Sequence, residues 1–321
     1  MKVDEHRTSV SASAPGKVII CGEHYVVHGS HAVAAAINKR AKVKVSTADG
    51  RSSTISSRGV NVSLDSPDRS FYSIKSIAKK IFSEHGKPRA GVKIAIDSDI
   101  PAGSGLGSSA AVSVATAAAL IGFVGARVEP AKIVEAATCG EKEVHGNPSG
   151  IDIQASLNGG MILFNKNSGA KPVPLDRSLQ FLVVYSGRQR KTSELVDKVR
   201  RMRDRYPRFF ERLTEASSFL SLEVVEAVSS GDLPYLGAIM NMMQSSLSWI
   251  GVSNRMLDNL IEDVLSEDVY GAKITGAGGG GSIIALPKPE KGSAVLKRIA
   301  LRNKVSFLCT IPQRGLRMEE A

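Results

Sequence analysis

The chain has 321 residues, 42% hydrophobic and 23% charged, with a formal net charge of +11 at pH 7. At roughly 100–200 residues per domain, that length predicts two domains able to build cores without covalent staples. No apolar run approaches the about 18 residues of a membrane span, the polar N-terminus lacks a signal-peptide core, and the scattered Cys21, Cys139 and Cys309 fit neither a disulfide framework nor a zinc site; a cytoplasmic protein is expected.

In chain order, residues 9–14 and 18–21 read as short strands around a turn at Pro15-Gly16, and 41–46 as a third strand. Ile74, Ile77, Ala78 and Ile81 form a helical stripe over 71–85. A strand at 92–96 leads through the loop 97–107 into a long apolar helix over 108–123. Pro130 opens another helix that continues to 144, Pro148-Ser149-Gly150 breaks it, and 151–156 starts a short one. Strands are expected at 161–164 and 181–185. Between them Gly169, Pro172, Pro174 and Asp176 punctuate 165–178, which sets the expected domain boundary at 1–170 and 171–321.

The second half reads as helices over 192–205, 207–229, 234–249 and 255–266. A strand at 272–274, a glycine run, a strand at 282–286, a helix at 294–301 and a strand at 305–310 follow. The class is α+β. Ten basic residues between Arg188 and Arg212 are interleaved with Glu194, Asp197, Asp204 and Glu211. That mixture favours a solvated helix face over a phosphate-steering rim or a nucleic-acid surface. Only 5% of residues are aromatic, which gives nucleic-acid binding little stacking support.

The chemistry-bearing stretch that stands out is Pro101-Ala102-Gly103-Ser104-Gly105-Leu106-Gly107-Ser108-Ser109. Its glycines allow close backbone approach, and the helix beginning at Ser108 points free N–H groups into the loop, as an anion site requires. No Lys-Ser or Lys-Thr follows the last glycine, so it is not a P-loop. Gly105, Gly107 and Ala110 also fit a dinucleotide pattern, with Glu129 at a tolerable distance, but the loop does not directly follow a first strand. A phosphate site, a dinucleotide site and a structural turn all remain open on this stretch alone.

Three other clusters accompany it. Lys17 precedes a strand that runs to Glu23-His24, and both ends reach one cleft if the chain bends at Gly22. A lysine there would favour the ionised form of a reacting hydroxyl. Glu141 and Asp152 flank the break at Pro148-Ser149-Gly150; one carboxylate could hold Mg²⁺ and the other orient or accept a hydroxyl proton. The run from Lys273 through Thr275-Gly276-Ala277 to Gly281 joins two strands, and four consecutive glycines suit a ligand lying on the backbone.

Taken together, the Ala14-Pro15-Gly16-Lys17 strand, the Gly105-Leu106-Gly107-Ser108-Ser109-Ala110 loop and the C-terminal glycine segment resemble the GHMP small-molecule kinases, in order and over roughly residues 11–286. Gly22-Glu23-His24 and the segment from His145 to Asp152 are similar to the branch of that family that phosphorylates mevalonate. The resemblance implies a two-domain α+β fold, with an N-terminal left-handed βαβ domain that binds ATP and a C-terminal ferredoxin-like domain. It implies Asp152 and Lys17 as catalytic residues, 101–109 as the ATP phosphate cradle, and Ser109 and Glu141 as Mg²⁺ ligands. Glu23, His24, Thr192, Gly276 and Ala277 are implied near the substrate. A homodimer with no nucleic-acid or membrane partner is expected. Val112 stands where animal members carry tyrosine, which puts animal-type regulation in doubt.

Overall fold

Residues 8–86, 88, 90–146, 148–189, 192–302 and 305–320 are described by a computed structural model, without the side chains of His145, Thr192 and Ser193. Residues 9–21 form one strand, β1 (Ser9–Cys21), where the sequence suggests two strands and a turn. The turn does not form because Pro15-Gly16 is absorbed as an irregularity: the register against β2 (Ala32–Thr47) shifts between Pro15 and Lys17. Gly16 is required for a close approach. A Cβ there would lie 2.7 Å from the Leu106 carbonyl oxygen, which instead accepts a hydrogen bond from the Lys17 amide at 2.9 Å.

The first sheet runs β12-β1-β2-β5-β3-β4, using β3 (Thr54–Ser57), β4 (Val60–Ser63), β5 (Val92–Ser98) and a returning C-terminal strand, β12 (Arg317–Glu319). β2 is long enough to share one edge between two partners: residues 41–47 pair with β5, and 32–35 pair with β6 (Met161–Asn165), which carries β7 (Gly169–Val173). Four helices pack among themselves and on this sheet: α1 (Tyr72–His85), α2 (Ser108–Phe123), α3 (Pro130–His145) and α4 (Ile151–Asn158). α2 is buried nearly all round, which its alanine-rich sequence permits.

The second sheet has four antiparallel strands in the order β11-β8-β10-β9: β8 (Leu179–Tyr185), β9 (Val269–Thr275), β10 (Ser282–Pro287) and β11 (Ser306–Ile311). By chain order this is fourth, first, third, second, the ferredoxin-like arrangement. Helices α5 (Thr192–Arg205), α6 (Pro207–Ser230), α7 (Leu233–Trp249) and α8 (Arg255–Leu265) connect β8 to β9, and α9 (Gly292–Arg302) connects β10 to β11. The chain leaves the first sheet only after Val173, so residue 170 falls inside β7 and not in a loop, and β12 returns the C-terminus to β1.

Side chains stitch the two halves together. Ile19 N–H donates to Thr275 Oγ1 at 2.8 Å, Tyr25 and Ser246 hydroxyls meet at 2.6 Å, and Ser30 donates to Ser217 at 3.2 Å. β1 is thus covered by α2 and α4 as well as by α6, α7 and β9, and Val10 to Cys21 are all buried. The expected solvated face is present: on α5 and α6, Arg200, Arg203 and Arg212 pair with Asp197, Asp204 and Glu215 at 3.0, 2.8 and 2.7 Å. Among the described residues no helix is long and apolar enough to cross a membrane.

Candidate active site

The glycine loop closes over Lys17. Gly103, Gly105 and Gly107 all have φ between 69° and 82°, the left-handed region that glycine enters at little cost. A Cβ on Gly107 would sit 2.9 Å from Lys17 Cγ, so the loop lies directly on the lysine stem. Lys17 Nζ donates to the Gly105 carbonyl at 3.1 Å and lies 3.2 Å from Asp152 Oδ1. Ser104 folds back on the loop, its hydroxyl donating to Pro101 O at 2.6 Å, while Ala102 and Gly103 stay exposed. The sequence did not indicate that Gln189 covers Gly103, with its Cγ 2.9 Å from where a Cβ would stand.

α2 begins immediately after Gly107 with no side-chain cap, and its first ladder bond runs from Ala111 N–H to Gly107 O at 2.9 Å. The N–H groups of Ser108, Ser109 and Ala110 precede that bond, so they are the orphan donors of the helix N-terminus, where the helix dipole favours negative charge. This is anion-binding geometry. The loop is seated on a buried lysine and opens directly into the helix.

Asp152 lies in the first turn of α4, after Gly150 at φ 89°. The turn is open, and the carboxylate is 40% exposed while Lys17 is 2% exposed. The α4 N-terminus and the Lys17 ammonium group both lie beside the carboxylate.

Glu141, on α3, is buried. Its Oε1 accepts hydrogen bonds from Ser109 at 2.6 Å and from Ser113, one turn further along α2, at 2.8 Å. Ser113 also meets Ser73 of α1 at 2.8 Å. Ser113 was not anticipated; its i+4 spacing from Ser109 was the available signal. A carboxylate and a hydroxyl at one helix N-terminus are hard oxygen donors of the kind Mg²⁺ takes alongside phosphate oxygens and water. No group of three or more His, Cys, Asp or Glu side chains forms a metal cluster among the described residues.

The bend expected after β1 is present: Gly22 has φ 98° and His24 φ 61°. A Cβ on Gly22 would collide at 2.5 Å with Ala32 and the His31 carbonyl. His24 Nε2 is 3.0 Å from Ala277 O, next to Gly276 at φ 86°. Glu23 is buried and ion-paired with Lys273 of β9, a partner the sequence did not suggest. Burial pushes the Glu23 carboxyl above its ordinary range, and the Lys273 charge is the largest force opposing it. Thr192 opens α5, but its side chain lies outside the described part of the structure.

The GHMP kinase N-terminal domain model matches residues 73–160, and the GHMP kinase C-terminal model matches 224–304. A mevalonate kinase from Archaeoglobus fulgidus is 40% identical over 309 residues, covering 96% of this chain and 99% of that protein. One from Aeropyrum pernix is 33% identical, covering 98% and 99%. The solved Leishmania major mevalonate kinase in complex with R-mevalonate superposes with a TM-score of 0.83 at 26% identity, covering 98% of this chain and 100% of that one. With both family models matched and full-length relatives above 30% identity, this chain belongs to the GHMP kinase family and is an ATP-dependent kinase.

Proposed function

We propose that the protein transfers the γ-phosphoryl group of ATP to the primary hydroxyl of (R)-mevalonate, giving 5-phosphomevalonate, a step of the mevalonate pathway to isoprenoids. The observation that carries this is the Lys17–Asp152 pair lying directly under the glycine loop of residues 101–109. The names of the archaeal relatives favour mevalonate as the alcohol.

In this reading the N-terminal half, through β7, holds ATP, and the C-terminal half, from β8, completes the pocket. The triphosphate lies on the 101–109 loop, against the N–H groups that open α2. Glu23, His24, Thr192, Gly276 and Ala277 line the alcohol. Asp152 takes up or orients the hydroxyl proton while Lys17 stabilises the attacking oxygen. A new O–P bond forms to the γ-phosphorus, the bridge to the β-phosphate breaks, and ADP leaves. Little covalent work falls to the protein, so positioning and charge carry the rate. Ser109 and Glu141 would hold Mg²⁺, which supplies charge neutralisation at phosphate oxygens when bound. A homodimer, implied by the family resemblance, is checked by light scattering.

Coupled ADP release, measured with mevalonate, phosphomevalonate, galactose and homoserine in parallel, tests the assignment. Turnover with mevalonate far above the other three is expected. Turnover with another alcohol and none with mevalonate would overturn it.

A further inference from the structure

Lys273 is fully buried, and its ammonium group is saturated. Its three protons meet three acceptors: Ile19 O at 3.3 Å, Ile274 O at 2.6 Å and Glu23 Oε1. Nothing is left with which to touch a ligand. Glu23 differs: Oε1 is tied to Lys273, while Oε2 is buried without a hydrogen-bond partner among the described residues. A buried carboxylate oxygen left unpaired is costly.

The pair also sits at a seam. Glu23 ends the β1 bend, Lys273 belongs to β9, and two further bonds join the same segments: Ile19 to Thr275, and His24 to Ala277. Among the described residues, the charged and titratable groups coupled electrostatically to Glu23 are Lys273 from β9, Lys17 and Cys21 from β1, and Tyr25 from the following turn. Lys273 Nζ also donates to the Ile19 carbonyl, two residues along β1 from Lys17, so the Glu23–Lys273 pair is anchored to the strand that carries Lys17.

We infer that Lys273 is a positioning residue for the alcohol substrate, fixing Glu23 Oε1 so that Oε2 accepts a hydrogen bond from a substrate hydroxyl. The inference rests on the functional reading above. Neutral acceptors could not replace this arrangement at equal cost, because a carboxylate accepts a stronger, charge-assisted bond. Lys273 is the largest charge opposing the burial of Glu23, so its removal shifts the carboxyl further toward the protonated form and weakens the acceptor.

Lys273→Met, Lys273→Arg, Glu23→Gln and the Glu23→Gln/Lys273→Met double variant test this in steady-state kinetics with mevalonate. Lys273→Met is expected to raise the KM for mevalonate about 10-fold or more, with the KM for ATP within about twofold. Its acidic limb of kcat/KM should move to higher pH, since removing the lysine raises the Glu23 pKa, and Lys273→Arg should restore the wild-type limb. The double variant should be no worse than Glu23→Gln alone, because the two residues act as one unit. An unshifted pH limb in Lys273→Met, or additive losses in the double variant, would overturn the inference. If Lys273→Met does not fold, the comparison of Glu23→Gln with the double variant decides. Absence of wild-type turnover with mevalonate contradicts the functional reading instead, and the same cycle is then run with the alcohol that the wild-type enzyme accepts.

Discussion

Lys17 Nζ lies 3.2 Å from Asp152 Oδ1, with the lysine 2% exposed and the aspartate 40% exposed. The pair is therefore one-sided: the cation is built into the protein, and the carboxylate is open to solvent. Lys17 is fixed from three directions, by the Leu106 carbonyl on its amide, the Gly105 carbonyl on its ammonium, and Gly107 on its stem. Such fixation lets a charge act on a reacting oxygen without reorganising during the reaction.

Replacing Lys17 with methionine keeps the stem under Gly107 and removes the charge. Turnover should fall about 10²–10⁴-fold, the range for losing a fixed charge or an acid–base partner. The measurement is kcat, with circular dichroism confirming the fold.

Gly107→Ala should cost both stability and activity. Its φ of 73° disfavours any Cβ, and the new methyl would stand 2.9 Å from Lys17 Cγ. Gly125 is the control: φ is 75° but nothing lies within 4 Å of a Cβ. Gly125→Ala should lose about 1–2 kcal/mol from backbone strain alone and retain activity. Gly107→Ala should lose more and be nearly inactive. Denaturant melts paired with turnover distinguish the two.

Ser109 and Ser113 share one oxygen of Glu141, yet they should fail differently. Ser113 is buried, so Ser113→Ala removes a charge-assisted bond inside the protein and should cost about 1–3 kcal/mol. Ser109 is half-buried at the helix opening, so Ser109→Ala should chiefly raise the Mg²⁺ concentration giving half-maximal activity. Thermal melts and Mg²⁺ titrations check the pair.

The three cysteines should separate by reactivity. Burial pushes the thiols of Cys21 and Cys309 up to about 12, leaving almost no thiolate at neutral pH. Cys139 on α3 is only half-buried. A chromogenic disulfide reagent at pH 8 should titrate one thiol in the native protein and three after denaturation; three fast-reacting native thiols would contradict the packing around β1 and β11.

The helices with strong apolar periodicity were legible to within a residue or two, because capping glycines and prolines such as Pro130, Pro207 and Gly231 mark their ends. Short polar strands were not. β3 and β4 are four residues each, so the single buried Ile55 and the brief Val60-Asn61-Val62 alternation are too short to mark strands. Their one available cue was the two-residue turn Arg58-Gly59, where both residues have positive φ, as a tight hairpin requires. β7 was obscured by Pro172, which is tolerated because that strand pairs on one side only. At the site, Lys17, Ser109, Glu141 and Asp152 announce themselves through local motifs. The Glu23–Lys273 pair does not, since two residues 250 positions apart carry no local spacing signal and only the docking of β1 against β9 joins them.

Asp152→Asn is the most direct test of the central claim that this carboxylate, beside Lys17, readies an alcohol for phosphoryl transfer. The substitution preserves shape and removes the carboxylate charge. ATP affinity by calorimetry and kcat with mevalonate should be measured on the same preparation. The account predicts ATP binding within about threefold of wild type and turnover reduced at least about 10²-fold. Unchanged turnover with intact ATP binding would contradict it.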